Sequence, residues 1–136
     1  MNIPVIDACV AIKWFLPENN YQKAVDILSS YNRLYAPDLF QFEMDSIITK
    51  KVRQHLIEPD DAYNIYEEIR NIPIQIIPYS LIGKLAFDLS VALPITQYEA
   101  CYLAVAIEYG EKVISADMRF VRGMRGTPFA NYVNAL

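Results

Sequence analysis

Two kinds of hydrophobic pattern alternate along the chain. Short runs rich in β-branched residues indicate strands at residues 3–6, 34–36, 72–77, 112–115 and 130–135. Longer segments with apolar residues at helical spacing indicate helices at residues 8–16, 21–30, 37–55, 59–70, 80–93 and 96–109. Strands that alternate with helices form a parallel sheet covered on both faces. The pattern therefore predicts an α/β fold, a three-layer α/β/α sandwich with a mostly parallel central sheet.

Prolines and a glycine mark several of the predicted boundaries. Pro17 ends the first helix and Pro94 stops the fifth, because proline does not continue a helix. Gly110 closes the next helix, as glycine often does just past a helix end. The basic, glycine-containing segment at residues 119–126 has no predicted helix or strand.

The length and composition indicate one globular domain. A chain of 136 residues buries roughly two-thirds of its unfolded surface. Apolar residues make up 54% of the sequence, above the usual share of roughly 45–50%, and the surplus indicates a surface for a partner. No stretch approaches the ~20 apolar residues of a membrane span, and the N-terminus lacks the basic start of a signal peptide. We therefore expect a single domain over residues 1–136, cytoplasmic and without membrane association.

Four acidic residues lie where hydrophobic segments give way to turns or helices: Asp7, Glu43, Glu99 and Asp117. In a parallel α/β sheet, the carboxyl ends of the strands and the adjoining helix starts converge on one crevice. Clustered carboxylates at neutral pH either take up protons or hold a cation. Hard oxygen ligands in that number suit Mg²⁺ or Mn²⁺. The pattern predicts a metal site for phosphate chemistry.

Each of these acids also has a structural explanation. An Asp after a strand commonly caps a helix, and a Glu in a first helical turn favours the helix dipole. Thr96 and Glu99 have the spacing of a capping box, so a cap role and a metal role both stay open for Glu99. Asp45 lies about 200° from Glu43 around a helix and is expected to face away from the site.

The net charge of −4 argues against broad, charge-driven binding of nucleic acid. A nucleic-acid substrate would depend on the metal and on a few local cations. The candidates for contact with phosphates are Lys13, Arg119, Arg122 and Arg125. A solvated loop is an equally good explanation for the last two.

Other side chains that could take part in chemistry are assigned structural roles. Cys9 and Cys101 lack the spacing of a metal knuckle and are expected as small buried hydrophobes. His55 lies at the predicted end of a long helix, where the helix dipole favours a cation. We therefore assign it this structural role rather than general-base catalysis. Tyrosines are typical of interfaces and support a dimer or partner surface, including Tyr63, Tyr66, Tyr98 and Tyr102.

Four segments resemble a known family: VIDACVAIKWF at residues 5–15, APDLFQFE at 36–43, TQYEACYLA at 96–104 and SADMRF at 115–120. In order and spacing they resemble the PIN-domain nucleases, in particular the VapC-type toxins of toxin-antitoxin operons, over essentially the whole chain. The resemblance implies a PIN-like sandwich and Mg²⁺- or Mn²⁺-dependent cleavage of RNA, leaving a 3′-hydroxyl and a 5′-phosphate. The family's four acidic positions fall on Asp7, Glu43, Glu99 and Asp117.

Two positions depart from the family pattern. The third acidic position usually carries Asp and here carries Glu99, whose carboxylate lies roughly 1.5 Å farther from the backbone. The position of Cys9 often holds Ser or Thr, whose hydroxyl can hydrogen-bond a neighbouring carboxylate, whereas a thiol is a weak donor. The first difference would shift the geometry at the metal, and the second would weaken the support of a neighbouring carboxylate. Together they leave reduced or absent activity as an alternative.

Three hypotheses of function remain open. The first is an endoribonuclease toxin, a homodimer neutralised by a small antitoxin protein that offers a basic group to the acidic site. The second is a catalytically weak PIN-fold module that binds RNA or a partner. The third is a phosphoryl-accepting α/β domain that uses Asp7 or Asp117, and it ranks last because the paired acids and lysine of a receiver domain are missing.

Overall fold

A five-stranded parallel sheet forms the centre of the molecule, which is described by a computed structural model over residues 2–16 and 18–136. The strands are β1 (Val5–Ile6), β2 (Leu34–Pro37), β3 (Ile74–Ile77), β4 (Val113–Ser115) and β5 (Val133–Ala135). Their order across the sheet is β3-β2-β1-β4-β5, and every neighbouring pair is parallel. The mostly parallel sheet predicted from sequence is confirmed.

Helices connect successive strands. They are α1 (Ala8–Ala11), α2 (Tyr21–Ser30), α3 (Leu39–Arg53), α4 (Pro59–Arg70), α5 (Tyr79–Ala92), α6 (Gln97–Tyr109) and α7 (Met118–Gly123). Short 3₁₀ turns follow α1 at Ile12–Trp14 and precede β5 at Ala130–Tyr132. The helices cover both faces of the sheet, as the predicted α/β/α sandwich requires.

The strand order explains which helices share a face. The chain moves from β1 through β2 to β3, and then returns past β1 to form β4 on its other side. Because parallel crossovers are right-handed, this reversal places α5 and α6 on the face opposite α1 to α4. The packing agrees, since α3 contacts α1 and α4 while α5 contacts α6. The carboxyl ends of the paired strands β1 and β4 form the switch point at which such sheets bind ligands.

Helix α6 forms much of the core. It packs across β1, β2 and β4, and every residue from 100 to 106 is buried. A helix that is apolar on all sides belongs inside a protein. On the sheet side, Val5 and Ile6 of β1 are fully buried. Any polar side chain on α6 that faces the sheet is therefore held in a rigid, desolvated environment.

The structure differs from the predicted elements in several places. The first half of the strand predicted at residues 130–135 is a 3₁₀ turn, and the strands predicted at residues 3–6 and 72–77 begin two residues later than expected. The helix predicted at residues 8–16 divides into α1 and a 3₁₀ turn, and its predicted end at Pro17 lies outside the described residues. Helix α3 ends at Arg53 rather than near His55, which adopts a left-handed φ of 58°. Helix α7 was not predicted, because its sequence looks like a basic loop and the side chain of Asp117 supplies its cap.

Across the described residues, no single helix is long and apolar enough to cross a membrane. Helices α5 and α6 reach that length and composition only when taken together, and they are bent by 120° at the break between them.

The C-terminal end of α6 provides a test of backbone geometry. Gly110 adopts a φ of 68°, and the N–H of Glu111 donates to the carbonyl of Ala106 at 2.8 Å, which satisfies an end carbonyl of the helix. A Cβ atom at Gly110 would meet no atom within 4 Å. We therefore expect Gly110→Ala to lower the free energy of unfolding by about 1–2 kcal/mol through backbone strain alone. Urea unfolding measures the change.

Gly110→Asn is the matched control, because Asn tolerates the left-handed region better than Ala. We expect it to retain more stability than Gly110→Ala. Equal stability of the Ala variant and the wild type would contradict this account of the helix end.

Candidate active site

Four carboxylates line one cavity at the carboxyl end of the sheet. Asp7 follows β1, Asp117 follows β4, Glu43 lies in α3, and Glu99 lies in the first turn of α6. Together they line a cavity of about 160 Å³. The structure thus brings together all four acidic residues that the sequence pattern selected, at the switch point of the sheet.

Asp7 is held by a fixed set of donors. Its Oδ1 accepts the backbone N–H of Cys9 at 2.8 Å, which caps α1. Its Oδ2 accepts the hydroxyl of Ser115 at 2.8 Å. Ser115 is fully buried, and its Oγ in turn accepts the backbone N–H of Asp117 at 3.0 Å. One serine therefore ties the carboxylate after β1 to the backbone after β4.

Asp117 combines a structural contact with a place in the cavity. Its Oδ1 accepts the backbone N–H of Arg119 at 3.0 Å and, more weakly, that of Phe120 at 3.4 Å. These contacts cap α7. They use one carboxylate oxygen and fix the orientation of the group at the cavity wall.

Glu43 has a carboxyl group whose pKa is perturbed by its surroundings. Burial raises its pKa, and the nearby charge of Asp7 raises it further, while a hydrogen bond from Tyr102 opposes both effects. That bond runs from the phenol hydroxyl to Oε1 at 2.7 Å. The pKa of Tyr102 is itself raised well above its usual value, first by burial and then by the charges of Glu43 and Asp7. The phenol therefore stays protonated and acts as a hydrogen-bond donor.

Glu99 closes the capping box that its spacing from Thr96 predicted. The backbone N–H of Thr96 donates to Glu99 Oε1 at 2.8 Å, and the backbone N–H of Glu99 donates to Thr96 Oγ1 at 3.1 Å. Glu99 nevertheless lines the same cavity as the other three carboxylates. Its structural and chemical roles are compatible in this arrangement, because the cap uses only one carboxylate oxygen.

Cys9 is half-buried, whereas the sequence predicted a fully buried side chain. Burial, followed by the charge of Asp7, raises the pKa of Cys9 to about 12. Its Sγ accepts the backbone N–H of Ala116 at 3.3 Å and lies 3.6 Å from the hydroxyl of Ser115. Cys101 is buried as expected, and burial raises its pKa to about 11. Ser115, and not residue 9, supplies the hydroxyl that supports Asp7.

The neighbouring charged residues separate into those near the cavity and those held elsewhere. Asp45 faces away from the site and pairs with Arg70 at 2.9 Å. The prediction that Lys13 contacts phosphates is wrong, because this lysine is only 8% exposed. Its Nζ donates to the carbonyl of Asn19 at 2.7 Å.

Arg119 is exposed and lines a cavity of about 300 Å³ that shares Glu99 with the carboxylate cavity.

Two residues of this site were missed in the sequence. Ser115 ends an otherwise apolar strand, and a hydroxyl buried there needs a partner, which is the signal that could have identified it. Tyr102 was assigned to a partner surface, but it is only 3% exposed, whereas Tyr63 is 73% exposed. The signal for Tyr102 was its position three residues after Glu99, on the same face of α6.

The donor set suits a hard divalent cation. Carboxylate oxygens are the ligands that Mg²⁺ and Mn²⁺ prefer. Within residues 2–16 and 18–136, no group of three or more His, Cys, Asp or Glu side chains is already gathered to hold an ion. The carboxylates instead bind donors of the protein. Because Mg²⁺ keeps several waters and needs only one or two carboxylates directly, the residues present fit such an ion.

Known proteins are similar to this chain in sequence and in fold. The family model of the PIN domain matches residues 5–123. Ribonuclease VapC3 of Pyrobaculum aerophilum is 29% identical over 115 residues, which cover 83% of this chain and 88% of that protein. The match to the family model includes all four carboxylates of the cavity.

Two solved structures have the same architecture. A toxin-antitoxin complex from Klebsiella pneumoniae superposes with a TM-score of 0.67 at 16% identity, covering 96% of this chain and 95% of that one. VapBC2 from Rickettsia felis, bound to a DNA fragment from its promoter, gives 0.63 at 14% identity, with 98% of both chains covered. At such identities the likeness establishes the fold, and the match over residues 5–123 establishes that this chain belongs to the PIN domain family.

Proposed function

We propose that this chain is a metal-dependent endoribonuclease and the toxin of a toxin-antitoxin pair. The observation that carries the proposal is the convergence of Asp7, Glu43, Glu99 and Asp117 on one cavity of a PIN domain. The relative from Pyrobaculum aerophilum is named a ribonuclease, and the two similar structures are toxin-antitoxin assemblies. The whole chain acts as one nuclease domain in this proposal.

Asp7, Glu43 and Asp117 would hold Mg²⁺ or Mn²⁺, with Glu99 as the fourth acidic group. When bound, such an ion lowers the pKa of a water and neutralises charge that grows on the phosphate. Ser115 keeps Asp7 oriented and fixes the backbone at Asp117. The protein holds the carboxylate oxygens in place, in a cavity that is partly shielded from solvent.

The raised pKa of Glu43 implies a pH dependence. Protons compete with the cation for this carboxylate, so activity at limiting metal falls as the pH drops toward the raised pKa. The effect of pH on folding stability has the opposite direction. A carboxyl group whose pKa is higher in the folded state than in the unfolded state favours folding at low pH, and that contribution is lost as the pH rises through the folded pKa.

RNA binding has to overcome an unfavourable charge. The net charge is −4, and the cavity concentrates negative groups where a phosphate would lie. Arg119 lies beside that cavity with an exposed side chain, which makes it the cation best placed for a phosphate next to the scissile one. Arg122 and Arg125 are exposed but do not line the cavities that contain Glu99.

An apolar groove supports the assignment of a protein partner. It has a volume of about 350 Å³ and lies between α3 and α4, lined by residues that include Ile48, Val52, Tyr63 and Tyr66. A small antitoxin would cover apolar surface there and offer a basic group to the acidic cavity. Leu81, Phe87 and Val91 of α5 are exposed apolar side chains, and we assign them to a homodimer contact. We propose that the chain acts in the cytoplasm, where it would meet its RNA substrate.

Removing the charge of a metal ligand should abolish cleavage without unfolding the protein. We expect Asp7→Asn and Glu43→Gln each to lose cleavage of mixed RNA in Mg²⁺ or Mn²⁺. The melting temperature should hold or rise at neutral pH, because each change relieves repulsion between neighbouring carboxylates. RNA gels and thermal melts of the purified chain measure the two effects.

Asp45→Asn is the control for these variants, because it removes an acid from the same helix that pairs with Arg70 instead of lining the cavity. It should cleave as the wild type does. Near-wild-type cleavage by Asp7→Asn or Glu43→Gln would remove that residue from the proposed ligands.

Glu99 has two roles that substitutions can separate. Gln preserves the reciprocal hydrogen bond of the capping box, so Glu99→Gln should keep most of the stability and lose cleavage at low metal concentration, with partial recovery at high metal. Thr96→Ala removes the cap oxygen and keeps the charge of Glu99. It should lower the free energy of unfolding by about 1 kcal/mol and leave the metal dependence unchanged.

A metal titration of cleavage, combined with urea unfolding, distinguishes these outcomes. If Glu99→Gln cleaves like the wild type at every metal concentration, the metal site contains only Asp7, Glu43 and Asp117. Binding of RNA by the wild type without cleavage would instead identify the catalytically weak binding module, consistent with the engagement of Glu99 in its cap.

Arg119 should contribute to RNA affinity rather than to the chemical step. We expect Arg119→Gln to raise KM for a single-stranded RNA by about five- to tenfold with little change in kcat, because a charged contact to phosphate is lost. The slope of log affinity against log salt should fall in magnitude by about 0.7. Arg125→Gln is the matched control, because it removes an equal charge from a residue that does not line the cavity. If Arg125→Gln weakens RNA binding as much as Arg119→Gln does, the effect comes from net charge and not from a specific contact.

A further inference from the structure

A partly buried hydrogen bond joins two helices at the carboxylate cavity. Tyr102 lies in the middle of α6 and is 3% exposed. Its hydroxyl donates to Oε1 of Glu43 in α3 at 2.7 Å. Both residues line the cavity that also contains Asp7. This contact links the acidic cavity to the rigid core helix of the fold.

The contact leaves one carboxylate oxygen of Glu43 available. A phenol has a single hydrogen to donate, and here it goes to Oε1. Within the described residues, Oε2 of Glu43 takes part in no hydrogen bond. The bond therefore fixes the rotation of the carboxylate, with one oxygen held by the protein and the other open to a ligand.

Orientation matters for this side chain because Glu has three rotatable bonds. Without an anchor it would sample several rotamers and lose that freedom when it binds an ion. A side chain held in its binding conformation beforehand avoids that loss. Partners that orient metal ligands in this way typically change metal affinity by about 10–100-fold when they are removed.

We propose that Tyr102 is a positioning residue that presents Glu43 to the divalent ion. The inference rests on the proposed function, since it concerns the ligand role of Glu43. Tyr102 does not itself contact the ion or the RNA. Its hydroxyl acts through the carboxylate, and the core packing of its ring holds that hydroxyl in place.

Tyr102→Phe tests the proposal, because it removes one oxygen and keeps the buried ring. Calorimetric titration of the RNA-free protein with Mn²⁺ should give a Kd about 10–100-fold higher than that of the wild type. Cleavage should fall at limiting metal and recover at saturating metal. Tyr35→Phe is the matched control, because it removes a hydroxyl from a buried tyrosine of β2 whose ring lies 5.0 Å from that of Tyr109. It should leave the Kd unchanged.

A second background separates positioning from a general loss of stability. Glu43→Asp keeps the charge but withdraws the carboxylate from the phenol by roughly 1.5 Å. In that background, Tyr102→Phe should produce little further change in the Kd for Mn²⁺, because the two changes disrupt the same contact. Thermal melts in EDTA record any effect on folding alone.

The outcomes distinguish this inference from the proposed function. A wild type that binds Mn²⁺ and cleaves RNA, combined with an unchanged Kd for Tyr102→Phe, would overturn the positioning role alone. An equal loss of affinity in the Glu43→Asp background would overturn it as well, since the effect would not pass through the carboxylate contact. A wild type that neither binds Mn²⁺ nor cleaves RNA would overturn the proposed function together with this inference.

Discussion

The pairing of β1 with β4 is the contact on which the rest of the site depends. These strands are far apart in the chain, yet they lie side by side and parallel, with Val5 opposite Val113 and Ile6 opposite Ile114. Because both strands point the same way, the residues that follow them emerge at the same edge of the sheet. Asp7 and Asp117 therefore flank one crevice, and the reversal of strand order leaves that crevice uncovered by a crossover helix.

Placing four carboxylates around this crevice creates an electrostatic problem that the protein reduces with its own donors. Backbone N–H groups bind Asp7, Glu99 and Asp117, and the hydroxyls of Ser115 and Tyr102 bind Asp7 and Glu43. Hydrogen bonds to a charged carboxylate favour its ionised form and offset part of the repulsion. The raised pKa of Glu43 indicates that the compensation is incomplete at this residue. A divalent cation would complete it, which connects the electrostatics of the cavity with the proposed chemistry.

Three of the four acids also begin helices, and this double role shapes what substitutions reveal. Asp7 caps α1, Asp117 caps α7, and Glu99 belongs to the capping box of α6. Glu43 caps no helix, because it lies inside α3, and its described hydrogen bond comes from Tyr102. Under the proposed function, stability and activity are coupled at these three positions, whereas Glu43 is held from another helix.

Local sequence patterns were enough for the sandwich architecture, the capping box at Thr96 and the choice of the four acids, because each depends on residues only a few positions apart. Helical spacing, strand runs and cap residues act over one or two turns. Tertiary structure decided which partners hold the acids. Ser115 and Asp7 are separated by 108 positions, and Tyr102 and Glu43 by 59. The same limit explains Lys13, whose charge looked available in sequence but is buried against the carbonyl of Asn19. Such pairings follow from how strands and helices pack, and no local periodicity encodes them.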